Sequence, residues 1–225
     1  MPRFSRLDAL NSTIETGIVP LFYNGDIETS KKILAACAEG GARAVEFTNR
    51  GDRALAIFTV LEIFASKEYP QLIMGAGSVA NGATAAMYIQ EGANFIVAPF
   101  FDESTAAVCN GSKIPYMPGC GSLTEIHKAE LSGVEICKVF PGSQVGGPGF
   151  IKGAKAPCPR SNLMPTGGVA PTEENLRNWF EAGVCCVGLG SQLIPGNIGE
   201  TGDYKSITEK LKFSIDFVKQ VRSGK

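Results

Sequence analysis

Lys138 stands inside the apolar run Val134-Glu135-Ile136-Cys137-Lys138-Val139-Phe140. A strand in a covered sheet has no free face for an ammonium group, so burial there holds the amine's pKa down. A desolvated, partly neutral lysine is what attack on a carbonyl carbon requires. The other reading is a lysine that snorkels past the strand end or pairs with a structural carboxylate. Glu46, Thr48 and Arg50 follow one another at i, i+2 and i+4, which puts them on one face of a strand. A glutamate beside a buried lysine can move protons, and an arginine fork fits a carboxylate. The same pair could instead be a buried ion pair that only orders the fold. Two further segments, Pro165-Thr166-Gly167-Gly168 and Gly188-Leu189-Gly190-Ser191, expose backbone N–H groups that suit a phosphate or another anion. Tight turns use the same residues.

The remaining reactive side chains point to little chemistry. Seven cysteines and one histidine are present, without CxxC spacing, so neither a disulfide framework nor a bound metal or other cofactor is expected. The adjacent Cys185 and Cys186 are expected on opposite faces of a strand. Cys120 has no histidine near it in sequence and reads as a packed thiol. His127 and Trp179 read as ordinary surface or helix-packing residues. With 21 basic and 22 acidic residues the net charge is −1, and Lys31-Lys32 is the only adjacent basic pair. Nucleic acid and membrane are therefore not expected partners. The start MPRFSRLDAL carries no apolar signal-peptide run, and a cytoplasmic location is expected.

These residues need elements to hold them. Eight short apolar runs begin at residues 18, 44, 72, 95, 114, 135, 162 and 185, so they start 19 to 28 residues apart. That is the length of one strand, one helix and two loops. Helical patterns fill the gaps, with Asp26 as a cap before Ile33, Leu34 and Cys37, and with Pro171 in the first turn before Leu176, Trp179 and Phe180. Glycines at 40–41, 92, 133 and 183 each end a helix and lead into the next run, where they supply a left-handed cap. The nearly continuous hydrophobicity of the runs suits a parallel sheet, and eight βα units close a barrel. The fold expected is α/β, a single (β/α)8 (TIM) barrel over residues 1–225. An extra N-terminal helix, with Leu7, Leu10 and Ile14 on one face, caps its bottom. The Gly- and Pro-rich stretch 141–159 makes the sixth helix short or irregular. Function then belongs at the carboxyl ends of the strands, where the residues above collect.

Taken in order, VEFTNR with Glu46 and Arg50, GAGS at 75–78, APFF with Pro99, PYMPG at 115–119, CKVFP with Lys138, PTGGV at 165–169 and GLGS at 188–191 carry a resemblance. The set resembles the 2-keto-3-deoxy-6-phosphogluconate (KDPG) and 4-hydroxy-2-oxoglutarate (KHG) aldolase family, from about residue 10 to 195. The resemblance implies a metal-free class I aldolase, usually a homotrimer, that cleaves a 2-keto-4-hydroxy acid to pyruvate and an aldehyde. It implies Lys138 as the Schiff-base lysine and Glu46 as general acid and base. It further implies Arg50 on the pyruvyl carboxylate, with Thr48, Ser78, Pro99, Phe140 and Thr166 as substrate contacts. Gly167, Gly168, Gly190 and Ser191 would hold a phosphate. Three departures stand out: Ser78 where threonine is commoner, the segment Pro118-Gly119-Cys120-Gly121, and Asn49 as a further candidate contact. A phosphosugar isomerase or epimerase on the same barrel, using Glu46 alone, stays open, as does a barrel that only binds an anionic metabolite.

Overall fold

A computed structural model describes residues 2–224. The chain opens with α1 (Arg6–Thr16), whose N-terminus is closed by reciprocal bonds between Ser5 and Asp8. Parallel strands and helices then alternate. The strands are β1 (Ile18–Phe22), β2 (Ala44–Thr48), β3 (Ile73–Gly77), β4 (Ile96–Val97), β5 (Tyr116–Met117), β6 (Gly119–Cys120), β7 (Cys137–Val139), β8 (Leu163–Pro165) and β9 (Val187–Leu189). Between and after them lie α2 (Ile27–Glu39), α3 (Ala54–Glu68), α4 (Gly82–Gln90), α5 (Glu103–Ser112), α6 (Leu123–Leu131), α7 (Gly147–Lys155), α8 (Glu173–Glu181), the short α9 (Ile198–Thr201) and α10 (Tyr204–Arg222).

Hydrogen bonding groups the strands as β5-β4-β3-β2-β1-β9 and β6-β7-β8. The two arcs form one closed barrel. The fifth strand of the barrel changes partner at Pro118: its first half, β5, pairs with β4, and its second half, β6, pairs with β7. A bridge between Thr166 and Gly188 joins the other two edges. The expected eight strands are thus eight, the fifth being interrupted because a proline has no N–H to give to a ladder.

The local signals act largely as expected. Asp26, Asn81, Asp102, Ser122 and Thr172 each accept a backbone N–H three residues on. Gly41, Gly92, Gly133 and Gly183 all take positive φ after their helices. The helix expected from 141–159 is only nine residues long. Three details differ. Thr172 caps α8, so Pro171 lies before the helix instead of in its first turn. On α1, Leu10 is buried and Ile14 packs beside it, but Leu7 is 68% exposed. Cys185 precedes β9, so strand alternation does not govern it, and its Sγ lies 3.7 Å from that of Cys186.

Apolar packing forms two layers. The larger lies between sheet and helices and includes Phe47, Phe58, Tyr88 and Trp179. The smaller fills the barrel's amino end with Val19, Ala44, Ile73, Phe95, Met117, Ile136, Met164 and Cys186, closed from below by Ala9 and Leu10 of α1. Because side chains alternate along a strand, this inner layer fixes which residues above it face the axis.

Candidate active site

Counting two residues up each strand from that inner layer gives Leu21 on β1, Glu46 on β2, Gly75 on β3, Lys138 on β7, Thr166 after β8 and Gly188 on β9. Val45 and Phe47, and Cys137 and Val139, face the outer layer instead. Glu46 is 1% and Lys138 6% exposed. The barrel axis is thus where both charged side chains are held, as the strand spacing predicted.

One glycine makes room for the carboxylate. Glu46 is registered opposite Gly75, and its side chain lies across Gly77, where a Cβ would come within 1.7 Å of Oε1. No larger residue fits there. Glu46 Oε2 is buried and has no hydrogen-bond partner among the described residues. Burial pushes the Glu46 carboxyl above its usual range, an effect partly opposed by the positive charges of Lys138 and Arg50. Burial pushes the Lys138 amine below its usual range, with Glu46 opposing and Arg50 assisting. The two groups interact electrostatically, yet among the described residues no ion pair within 4.0 Å joins them. Lys138 Nζ sits 4.9 Å from the centre of the Phe140 ring. A glutamate oxygen without a hydrogen-bond partner and an amine outside ion-pair distance are not the closed pair that a purely structural reading requires.

At the carboxyl end of the barrel opens a cleft of about 480 Å³ lined by Arg50, Phe140, Thr166, Gly167, Gly168, Gly190 and Ser191, together with Leu21 and Gln192; Glu46 and Lys138 do not themselves line it. Gly167 and Gly168 both take positive φ, and a Cβ on Gly168 would strike Ser143 at 2.4 Å. The N–H groups of Gly167, Gly168, Gly190 and Ser191 donate to no backbone carbonyl among the described residues. Four such donors at one end of the cleft suit an anion. The Thr166 hydroxyl is buried without a partner and rests over Gly188, where a Cβ would lie 2.3 Å from it. A side recess of about 220 Å³ shares Leu21, Arg50 and Ser191 with the cleft and adds Thr48, Tyr23 and Asn24. Arg50 is exposed and makes no ion pair among the described residues, which leaves its guanidinium available in both spaces.

Other expected residues are arranged differently. The Thr48 hydroxyl donates to the Phe22 carbonyl at 3.3 Å. Ser78 follows β3 with φ 56, and neither it nor Pro99 lines the cleft or the recess. The Pro99 carbonyl instead lies against Gly119, where a Cβ would approach to 2.0 Å. Asn49 accepts a hydrogen bond from Tyr88 Oη at 3.0 Å, which ties its side chain to α4 and away from the cleft. Cys120 is buried in the outer layer as a packed thiol. Leu21 is not among the residues expected from the sequence, although the alternation from Val19 points to it, and Gly188 is expected there only as part of the segment 188–191 that exposes backbone N–H groups. Among the described residues no cluster of three or more His, Cys, Asp or Glu side chains could hold a metal ion, and no helix is long and apolar enough to cross a membrane.

Fold and site together define a (β/α)8 barrel of the TIM type with its charged pair on the axis at the carboxyl end. A family model for aldolases described as KDPG and KHG aldolase matches residues 10–210, and the chain belongs to that family. The KHG/KDPG aldolase of Escherichia coli K12 is 30% identical over 210 residues, covering 92% of this chain and 95% of that protein. A 2-dehydro-3-deoxy-phosphogluconate aldolase of Pseudomonas aeruginosa is 34% identical over 173 residues, 76% of each chain. Among solved structures, the 2-keto-3-deoxy-6-phosphogluconate aldolase of Zymomonas mobilis ZM4 with 3-phosphoglycerate superposes with a TM-score of 0.80 at 25% identity, covering 95% of this chain and 97% of that one.

Proposed function

We propose that this chain is a class I aldolase that cleaves a 2-keto-4-hydroxy acid to pyruvate and an aldehyde. The observation that carries the reading is Lys138, buried on the barrel axis beside a Glu46 whose carboxylate lacks a partner. Burial keeps a fraction of Lys138 unprotonated, and that amine adds to the keto carbon. Glu46 supplies the proton that lets the carbinolamine lose water, leaving a protonated imine. It then takes the proton of the 4-hydroxyl as the C3–C4 bond breaks, because the imine accepts the electron pair and becomes an enamine. Protonation of the enamine carbon and hydrolysis release pyruvate and restore the lysine. Arg50 holds the keto-acid carboxylate, Phe140 bounds the pyruvyl end, and Thr166, whose buried hydroxyl has no partner among the described residues, contributes a contact beside it.

The distal end of the substrate faces Gly167, Gly168, Gly190 and Ser191. Their N–H groups favour a phosphorylated substrate, 2-keto-3-deoxy-6-phosphogluconate, which yields glyceraldehyde 3-phosphate. The 3-phosphoglycerate held by the Zymomonas mobilis relative supports this end of the reading. Cleavage of 4-hydroxy-2-oxoglutarate to glyoxylate needs the same pyruvyl end without the phosphate seat. As the resemblance implies, the enzyme works as a cytoplasmic homotrimer. An isomerase or epimerase would use Glu46 but has no use for a desolvated Lys138.

Borohydride reduction in the presence of pyruvate, followed by intact mass and peptide mapping, tests the assignment. A single pyruvate-sized adduct on Lys138 is expected. Absence of an adduct where a known class I aldolase is labelled overturns it.

A further inference from the structure

The opposite end of the barrel holds a pair of thiols that the proposed chemistry does not use. Cys185 and Cys186 stand just before β9 with their sulfurs 3.7 Å apart. Cys186 is buried in the inner layer with Met164 and Leu10, while Cys185 is half-buried at its rim. Cys185 is held in place on both sides. Its N–H donates to the Leu163 carbonyl at 3.1 Å, and its Sγ lies 3.4 Å from the same oxygen. Its own carbonyl accepts from the Arg222 guanidinium, which also reaches the carbonyls of Ile14 at 2.7 Å and Glu15 at 3.1 Å. The bond to Cys186, with help from the charge of Arg222 and against the cost of burial, holds the Cys185 thiol below its usual pKa.

Geometry decides what two sulfurs placed this way can do. Neighbouring Cα atoms across a trans peptide are about 3.8 Å apart, whereas disulfides usually need roughly 4.4 to 6.8 Å, so direct oxidation of the pair is disfavoured. An atom inserted between the sulfurs meets no such obstacle. Two sulfur bonds of about 2.3 Å, set near a right angle at a pyramidal trivalent centre, place the sulfurs about 3.3 to 3.5 Å apart, a small side-chain rotation from the observed gap. Among the described residues no third His, Cys, Asp or Glu side chain completes a metal cluster, so a cation that wants three or four protein ligands is not served. A trivalent arsenic centre that already carries one organic group needs two sulfurs and no more.

We propose that Cys185 and Cys186 form a two-sulfur clamp for a monosubstituted trivalent arsenical at the amino end of the barrel. The step is a condensation. Two S–H bonds and the two As–O bonds of R–As(OH)2 break, two S–As bonds form, and two waters leave, with no change in the oxidation state of arsenic or sulfur. Cys185, at the rim, reacts first and delivers the arsenic to Cys186. Two other cysteine environments serve as internal controls. Cys158 is exposed but stands alone, and Cys120 and Cys137 are neighbours buried in the outer layer without access to solvent.

The test uses phenylarsine oxide on the reduced full chain, with intact mass, a count of the remaining thiols and peptide mapping. One adduct per chain is expected, consuming two thiols, mapping to the 185–186 peptide and resisting a monothiol wash while yielding to a small dithiol. In Cys185→Ser, which alters the half-buried partner and spares the buried one, retention falls by about 100-fold or more, because the second bond is no longer intramolecular. Cys185→Ala gives the same loss, and Cys158→Ser keeps the full stoichiometry. The proposal is overturned by an adduct that survives undiminished in both Cys185 variants, by one that maps to Cys120 or Cys137, or by wild-type protein that retains none after the monothiol wash.

Discussion

The two ends of the barrel are built on the same strands and differ by one step of the pleat. At the amino end Val19, Ala44, Ile73, Ile136, Met164 and Cys186 interlock into a dry layer sealed by α1. Two residues further along, the same faces present Leu21, Glu46, Gly75, Lys138, Thr166 and Gly188. The lower layer is filled by volume alone. In the upper one, glycines on β3 and β9 leave space into which Glu46 and Thr166 extend their polar ends. Packing and the proposed chemistry thus fall in adjacent layers of one barrel interior, and substitutions should separate them.

The largest effect is expected from Lys138→Met. Turnover should fall by about 10⁴-fold or more in an aldol-cleavage assay, and borohydride trapping should vanish. A residual rate near that of the wild type would erase the distinction between the layers. The companion variant Glu46→Met/Lys138→Met sharpens it, because it should be inactive yet more stable at neutral pH by roughly 1–4 kcal/mol. The sign follows from burial. Lys138 has its folded pKa below 10.5, so in the window below that value the unfolded chain holds a proton the folded chain has shed, and stability rises with pH. Glu46 has its folded pKa above 4.5, so in the window above that value the folded chain keeps a proton the unfolded chain has released, and stability falls as pH rises. Both slopes should be missing from the double variant when urea midpoints are measured across pH.

A change in the lower layer should do the reverse. Ile73→Ala opens a cavity in a fully buried site and should cost about 2–5 kcal/mol in chemical denaturation. Its kcat/KM per folded molecule should stay at the wild-type value; a collapse in turnover would mean that the layers are mechanically coupled. The smallest effect belongs to Arg50→Ala. Losing one charge-assisted contact worth about 1.5–3 kcal/mol should raise KM for the keto acid by roughly 10- to 100-fold. Because Arg50 is exposed and has no ion-pair partner among the described residues, the denaturation midpoint should not move.

Much of this contrast can be read in the sequence because it rests on periodicity. The spacing of the apolar runs and the glycines after the helices encode the barrel, and a lysine inside an apolar run is conspicuous against that background. What escapes is whatever depends on where alternation begins or on contacts between distant segments. Cys185 and Cys186 look divergent if β9 starts at 185, and they converge because it starts at Val187. Asn49 looks like a substrate contact beside Arg50 until Tyr88, nearly forty residues away, engages it. The space that Glu46 needs is supplied by Gly77 on another strand, and GAGS by itself does not say which neighbour requires it.

The change of partner at Pro118 has a mechanical consequence. It divides the wall into an arc of six strands bearing Glu46 and an arc of three bearing Lys138. They meet where the fifth strand crosses over and along the other edge, through the bridge between Thr166 and Gly188 and the hydrogen bond from the Cys185 N–H to the Leu163 carbonyl. Glu46 and Lys138 thus hang from different hydrogen-bonded arcs, so their separation is set across the two seams and not within one continuous ladder.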